Sequence, residues 1–147
     1  MALNDFTLFE EFALNIGLEE HQLETDVLKV GFVDDTITPL ANLATPTWSD
    51  FSANEVATTG GYTTGGETIT NNTYTEAAGV GTLDGDNIAL VQNASGFTDA
   101  RWGIVYNSTN GTGMAIGFID FGANISEVAG PVAINWNGSG IATVTIA

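Results

Sequence analysis

The sequence predicts an all-β protein, a sandwich or barrel of mainly antiparallel strands that follows one short helix. After residue 25 the chain carries several short segments that alternate or are rich in β-branched and aromatic residues, as strands are. Clusters of turn-forming residues, such as DGDN, NSTNGTG and NGSG, separate these segments. Little helical periodicity follows residue 25, so the sequence places its one helix near the N-terminus.

Residues 4–20 are predicted to form this N-terminal helical arm. Three phenylalanines recur there at helical spacing: Phe6, Phe9 and Phe12. Asn4 or Asp5 can cap the helix, and Gly17 can end it. The last part of the segment also alternates as a strand would, so a strand is the alternative.

The predicted strands follow in chain order. Residues 26–33 alternate, with Leu28, Val30 and Phe32 on one face, which is typical of a half-buried strand. Further strands are predicted at residues 67–70, 87–92, 100–106, 113–121, 131–136 and 140–147.

The clearest hairpin joins residues 100–106 to residues 113–121. The loop between them is longer than a two-residue turn, so Gly111 or Gly113 is expected at positive φ. This hairpin should be central in the sheet, because its flanks are among the most apolar in the chain. The side chains expected to face one another are Trp102, Ile104 and Tyr106 on one strand and Met114, Ile116 and Phe118 on the other.

The same hairpin predicts an ion pair. Arg101 stands at the head of one strand and Asp120 near the tail of the other, so antiparallel pairing brings the two side chains opposite one another. Lys29 could share the pair. An exposed pair contributes less than about 1 kcal/mol, so its use would be to set the strand register.

Residues 49–69, SDFSANEVATTGGYTTGGETI, have two Gly pairs around Tyr62 and could form a linker, a ligand loop or a turn inside a folded body. The 48 residues before this segment supply one predicted helix and one strand, too few for a separate core. The sequence therefore predicts a single domain over residues 1–147. In that domain Tyr62 is packed, and Val56 and Ile69 anchor the core.

The charge balance argues against two classes of partner. Eighteen Asp and Glu residues stand against Lys29 and Arg101, so the formal net charge is −16. Nucleic acids require clustered cations, and the same repulsion disfavours an anionic membrane surface. No apolar run reaches the ~18 residues of a membrane-spanning helix, and no cationic segment precedes an apolar stretch at the start, so we expect synthesis in a cytoplasm.

Residues for common catalytic and metal sites are scarce. The chain has no Cys, and its one His, His21, lies in the acidic segment LEEHQLETD, where a solvated position is expected. Zinc sites and phosphate-binding loops would lack required residues. Asp84, Asp86 and Asn87 are the best calcium candidates, but a turn is favoured because Ser95 stands where an EF-hand needs Glu. We therefore expect no cofactor and no enzyme activity.

The order of the motifs resembles one group of proteins. The FTLFEEF helix, TDVLKVGF strand, SANEV and GGYTTGGETI stretch, RWGIVYN, IGFIDFG and a short last strand together resemble small structural proteins of tailed bacteriophages. Some of that group are head decoration, or cement, proteins. The resemblance covers nearly the whole chain and reaches these structural positions: Lys29, Tyr62, Gly65, Gly66, Arg101, Tyr106, Gly117, Asp120 and Gly122. Asp34 and Asp35 depart from it, since a more neutral turn is expected there.

The resemblance implies a jelly-roll-like antiparallel β-sandwich over residues 25–147, after the helical arm at 4–20. It implies a non-enzymatic protein that is made in the host bacterial cytoplasm and binds the outside of the capsid as a homotrimer. Its partners would be the major capsid protein and its own copies, without nucleic acid or membrane. Phe6, Phe9 and Phe12 would contribute to assembly if the arm leans on a neighbour or on the capsid, or would pack on their own sandwich.

Two other function classes stay open. A tail-tip or fibre module could bind host cell-surface carbohydrate through exposed aromatic residues such as Trp48 or Tyr62. An enzyme that acts on polysaccharide is the third class, although no carboxylate pair stands out in the sequence.

Overall fold

The computed structural model describes residues 6–146 of the chain. Within this part the strands are β1 Phe6–Leu8, β2 Leu28–Val33, β3 Glu67–Ile69, β4 Thr73–Ala77, β5 Val80–Asp84, β6 Ile88–Leu90, β7 Ala100–Asn107, β8 Ala115–Ile125, β9 Val132–Ile134 and β10 Ala142–Thr145. The helix α1 spans Phe12–Gly17, and two 3-10 turns span Trp48–Asp50 and Ser52–Asn54. The predicted all-β fold with one short helix is confirmed.

The strands form three antiparallel sheets. The largest has the order β1-β8-β7-β2-β3, so the predicted hairpin of β7 and β8 lies at its centre. A three-stranded sheet has the order β10-β5-β4, and β6 pairs with β9. The jelly-roll arrangement of the strands stays a prediction.

The β7–β8 hairpin departs from simple alternation at two places, between Ala100 and Trp102 and between Val105 and Tyr106. Gly113 has φ 65°, as expected for one of the two loop glycines. However, Val105 pairs with Gly117 and Tyr106 with Ala115, so the register shifts and Ile116 is the extra residue of a bulge. Ile116 therefore packs in a different cluster from Ile104 and Phe118, which was not predicted from simple alternation.

The helix of the N-terminal arm is shorter than the helix predicted over residues 4–20. Phe6–Leu8 pair with β8 as a strand, and the α-helix occupies only Phe12–Gly17. Gly117 on β8 explains the pairing, because a Cβ there would lie 2.5 Å from the Phe6 ring. This tertiary contact overrides the helical periodicity of the phenylalanines. The helix ends at Gly17 as predicted, while the expected caps Asn4 and Asp5 lie outside the described residues.

Besides β1, two further strands, β4 and β5, were not predicted. Four of the five residues of β4 are exposed, so the strand lacks a continuous apolar face in the sequence. The turn between the strands places Ala78 and Gly79 at φ 52° and 82°. Alanine is unusual at positive φ, so the sequence carries no strong hairpin signal there.

The main sheet is covered on both faces. One face packs in the larger core cluster, which includes Leu28, Val30 and Phe32 and extends to the smaller sheets. The other face carries a second cluster around Phe9, Ile104 and Phe118. The chain between β2 and β3 contributes Phe51 and several partly buried residues to this second cluster: Ile37, Ala41, Leu43 and Trp48.

Candidate functional site

The loop between β2 and β3 is organised by Tyr62, which is 2% exposed. Its ring stacks on the Phe32 ring with centroids 4.9 Å apart. The prediction that Tyr62 is packed is therefore confirmed. The hydroxyl accepts a hydrogen bond from the Phe32 N–H at 2.8 Å and donates to Oε1 of Glu55 at 2.9 Å. Burial raises the pKa of Tyr62 well above its ordinary value, so the side chain is neutral in the fold. Val56 and Ile69, the predicted anchors, are buried on either side.

The Gly pairs of this loop act as turns with close backbone contacts. Gly65 and Gly66 have φ 79° and 94°, a region that other residues adopt only with strain. A Cβ at Gly66 would lie 2.5 Å from the Val30 carbonyl oxygen. The loop is therefore fixed against β2, and Tyr62 has no exposed surface with which to bind a ligand.

Arg101 and Asp120 form the ion pair expected from the hairpin. The guanidinium Nη2 lies 2.7 Å from Oδ1 of Asp120, and the two side chains are 23% and 36% exposed. Arg101 also lies over the Trp102 ring at 5.0 Å. Lys29 does not share the pair, because it lies on β2 opposite Tyr106 and forms no ion pair with another described residue.

The prediction for His21 is wrong, because the side chain is 6% exposed and not solvated. Its ring lies 5.7 Å from the Phe12 ring, and Nδ1 is 3.3 Å from Nδ2 of Asn107. Burial lowers the pKa of His21, and the nearby carboxylates of Asp26 and Glu20 oppose this only in part. Glu19, Glu20 and Glu24 around His21 are exposed, but the imidazole itself is buried in the fold.

The acidic turn before β6 is held by hydrogen bonds between its own side chains and other parts of the chain. Asp86 accepts hydrogen bonds from Thr70 and Asn71 at 2.9 and 2.6 Å, and Asn87 accepts one from the Trp136 N–H at 2.8 Å. Within residues 6–146, no three His, Asp or Glu side chains are grouped so as to hold a metal ion.

The three phenylalanines assigned to assembly have different positions. Phe9 and Phe12 are 1% and 3% exposed, so they pack almost entirely on their own sandwich and offer only a very small area to a neighbour. Their assignment as interface residues is therefore corrected. Phe6 is only partly buried and lines a surface cavity of about 390 Å³ together with residues of the 137–143 segment.

A second cavity of about 370 Å³ adjoins the first, since Leu8 and Thr143 line both. We call the two cavities together the β1–β10 groove. Its second part is lined by Leu8, Phe9, Glu10, Phe12, Ala13, Ile16, Thr143 and Val144. Among the described residues, β1 pairs only with β8 and β10 only with β5, so both strands that line the groove are sheet edges.

The β1–β10 groove is a neutral region on an acidic protein. Of the described residues that line it, only Glu10 carries a charge. Exposed apolar side chains also occur in or next to α1 and β10, which both contribute to the lining: Leu14, Leu18, Val144 and Ile146. Apolar surface of this kind, bounded by polar surface, is typical of a protein interaction site.

Comparisons of the chain with protein-family models, with curated proteins and with solved structures found no match. In the described part of the chain, no helix has the length and apolar content needed to cross a bilayer.

A buried carboxylate, Glu127, was missed in the sequence. It is 0% exposed, and its Oε1 accepts a hydrogen bond from the Gly61 N–H at 2.8 Å. A Cβ at Gly60, Gly61 or Gly96 would come within 2.9 Å of its carboxylate oxygens. Three glycines in two loops therefore make room for the side chain of Glu127, which lies in a third loop. No local sequence signal marks Glu127, because its partners are at least thirty residues away.

Proposed function

We propose that the protein is a non-enzymatic structural component of a tailed-bacteriophage virion that binds the outside of the capsid and stabilises it. The proposal combines the order of motifs described above with one feature of the structure, the β1–β10 groove. The major capsid protein would occupy this groove, and the protein would act as a homotrimer on the capsid surface.

The nearly uncharged lining of the groove, in which Glu10 is the one charged residue among those described, carries the proposal. With a net charge of −16, most approaches of another acidic surface are opposed by repulsion. The groove and its exposed apolar neighbours allow contact without that cost, and apolar burial contributes about 25 cal/mol for each Å² removed from water. Stable association requires on the order of 1,200 Å² or more in total, so the contact must extend beyond the groove.

The free edges of β1 and β10 support the same role. Each strand presents unpaired main-chain N–H and C=O groups, which an extended segment of a partner can pair with. Leu8, Ala13 and Val144 would then contact the apolar side chains of that segment. The acidic remainder of the surface would keep the unassembled protein soluble.

The test is cosedimentation of the purified protein with capsid shells assembled without it. We expect saturable binding to the shells and a rise in their melting temperature. Ala13→Glu and Thr143→Glu place charges on exposed positions of the groove and should weaken binding at least about tenfold. Val91→Glu is the matched control, because Val91 is 77% exposed and does not line the groove.

The outcomes separate the site from the function. Failure of the native protein to bind shells would reject the capsid role. Equal binding by the native protein and both groove variants would reject the groove as the contact surface. Electron microscopy of decorated shells would then show which surface faces the capsid, and whether the copies are grouped in threes.

A further inference from the structure

Trp48 forms the wall of a separate surface pocket on the second face of the main sheet. Its indole stacks on the Tyr106 ring with centroids 5.0 Å apart and an interplanar angle of 5°. The edge of the indole lies above Gly31, where a Cβ would come within 2.2 Å of it. These two contacts fix the ring, while the side chain stays partly exposed. The ring is thus a rigid aromatic surface at the wall of the pocket.

The Trp48 pocket has a volume of about 360 Å³ and an uncharged lining. Besides the two aromatic residues, it is lined by hydroxyl and amide side chains from the 3-10 turns and from the β7–β8 loop. This volume is near the lower end of the range for small-ligand sites, about 300–1,000 Å³. None of its lining residues belongs to the β1–β10 groove.

Both donors and acceptors are free to meet a ligand. The indole N–H of Trp48 and the Ser52 hydroxyl have no hydrogen-bond partner among the described residues, and neither group is buried. The hydroxyls of Ser108 and Thr112 donate to the Val27 carbonyl and to Asn110, so their lone pairs can still accept. Such a mixture fits a ligand whose own groups both donate and accept.

The loop that carries half of the pocket is held in place before any ligand binds. The side chain of Asn107, which is 0% exposed, accepts hydrogen bonds from the N–H groups of Thr109 and Asn110 at 3.0 and 3.1 Å. At the other end of the loop, the backbone N–H of Trp48 donates to the Gly113 carbonyl at 2.7 Å. A preformed site loses less conformational entropy on binding.

We propose that the Trp48 pocket binds a neutral carbohydrate. A sugar ring presents an apolar C–H face that packs on an indole, together with hydroxyls that both donate and accept. The uncharged lining provides no cation for an acidic sugar, and the net charge of −16 repels one. The proposal is independent of the capsid role, because the pocket and the groove share no residue.

The first experiment needs no variant. The native protein is titrated with neutral oligosaccharides of glucose, galactose and N-acetylglucosamine, and with sialyllactose as the anionic counterpart, while backbone amide shifts are recorded by NMR. We expect a neutral oligosaccharide to shift the amides of residues 48–52 and 108–113. Shifts confined to other regions, binding of sialyllactose alone, or no binding at all would overturn the proposal.

The second experiment closes the pocket. Gly111→Tyr adds a ring at the rim, where a Cβ meets no atom within 4 Å and φ is not positive, so the fold should persist. Gly138→Tyr is the matched control, since that glycine is equally open and does not line the pocket. We expect Gly111→Tyr to weaken binding at least about tenfold, Ser52→Ala to weaken it less, and Gly138→Tyr to leave it unchanged. Equal binding by Gly111→Tyr and the native protein would reject the site.

Discussion

The hydroxyl of Tyr62 is predicted to stabilise the fold by completing the hydrogen bonding of β2 beyond the end of β3. The ladder between the two strands stops at Val30, so the Phe32 N–H has no partner on that edge from a strand. Tyr62 supplies the acceptor at 2.8 Å, while the Phe32 carbonyl accepts from the Val56 N–H at 3.0 Å. Tyr62→Phe removes this acceptor and keeps the stacked ring.

The cost can be worked from the burial of the groups involved. Phe32 is 0% exposed, so its N–H would be left without water or a protein partner. A buried unsatisfied donor costs about 1–3 kcal/mol. The Glu55 carboxylate loses one donor but keeps the Gly65 N–H at 2.7 Å, which limits the additional loss. For a chain of this length, about 2 kcal/mol corresponds to a decrease in Tm of about 4–8 °C.

Urea unfolding and thermal scans at neutral pH measure this loss, and amide hydrogen exchange of Phe32 reports on it locally. Exchange at Phe32 should become faster in Tyr62→Phe even where the remaining amides of β2 stay protected. Tyr74→Phe is the matched control, because the Tyr74 hydroxyl has no hydrogen-bond partner among the described residues and the change should cost less than about 0.5 kcal/mol. Equal stability of Tyr62→Phe and Tyr74→Phe would refute the reasoning.

Three further predictions concern charge and pH. Arg101→Ala should cost about 0.2–1 kcal/mol, more at low salt, and leave the oligomeric state unchanged, because its ion pair is partly exposed. Burial lowers the pKa of His21 from 6.5. The contribution of the neutral imidazole to stability is therefore fully present above pH 6.5 and is lost as the pH falls through the folded pKa. In His21→Gln, the free energy of unfolding measured in urea should depend less steeply on pH over this range. Burial raises the pKa of Tyr106 from 10.0 to about 12 and that of Tyr62 further, so stability should fall as the pH rises above 10, and tyrosinate absorbance should appear together with unfolding.

A different experimental result would contradict each of these three predictions. Lys29→Ala changes the net charge equally without breaking an ion pair with a described residue, so an equal effect of Arg101→Ala at low salt would reject the role of the pair. Parallel pH profiles of the native protein and His21→Gln would show that the imidazole does not contribute. Ionisation of Tyr62 and Tyr106 near pH 10 in the folded protein would contradict their burial.

Much of the fold could be predicted from local patterns. The β7–β8 hairpin, its loop glycine and the packing of Tyr62 each follow from side-chain alternation or from turn residues within one short segment. The segment before β2 was harder, because the spacing of Phe6, Phe9 and Phe12 predicted a helix where residues 6–8 form a strand. Pairing with the bare Gly117 backbone decided between them, and that partner is over a hundred residues away.

The candidate sites show the same division. The acidic composition by itself determined the classes of partner that the surface disfavours, since charge counts need no coordinates. Only the tertiary structure decided that Phe9, Phe12 and His21 are buried, that β1 and β10 line one groove, and that Trp48 meets Tyr106. The physical reason is that local propensity depends on neighbours along the chain, whereas burial and the shape of a pocket depend on packing between segments that are far apart in sequence.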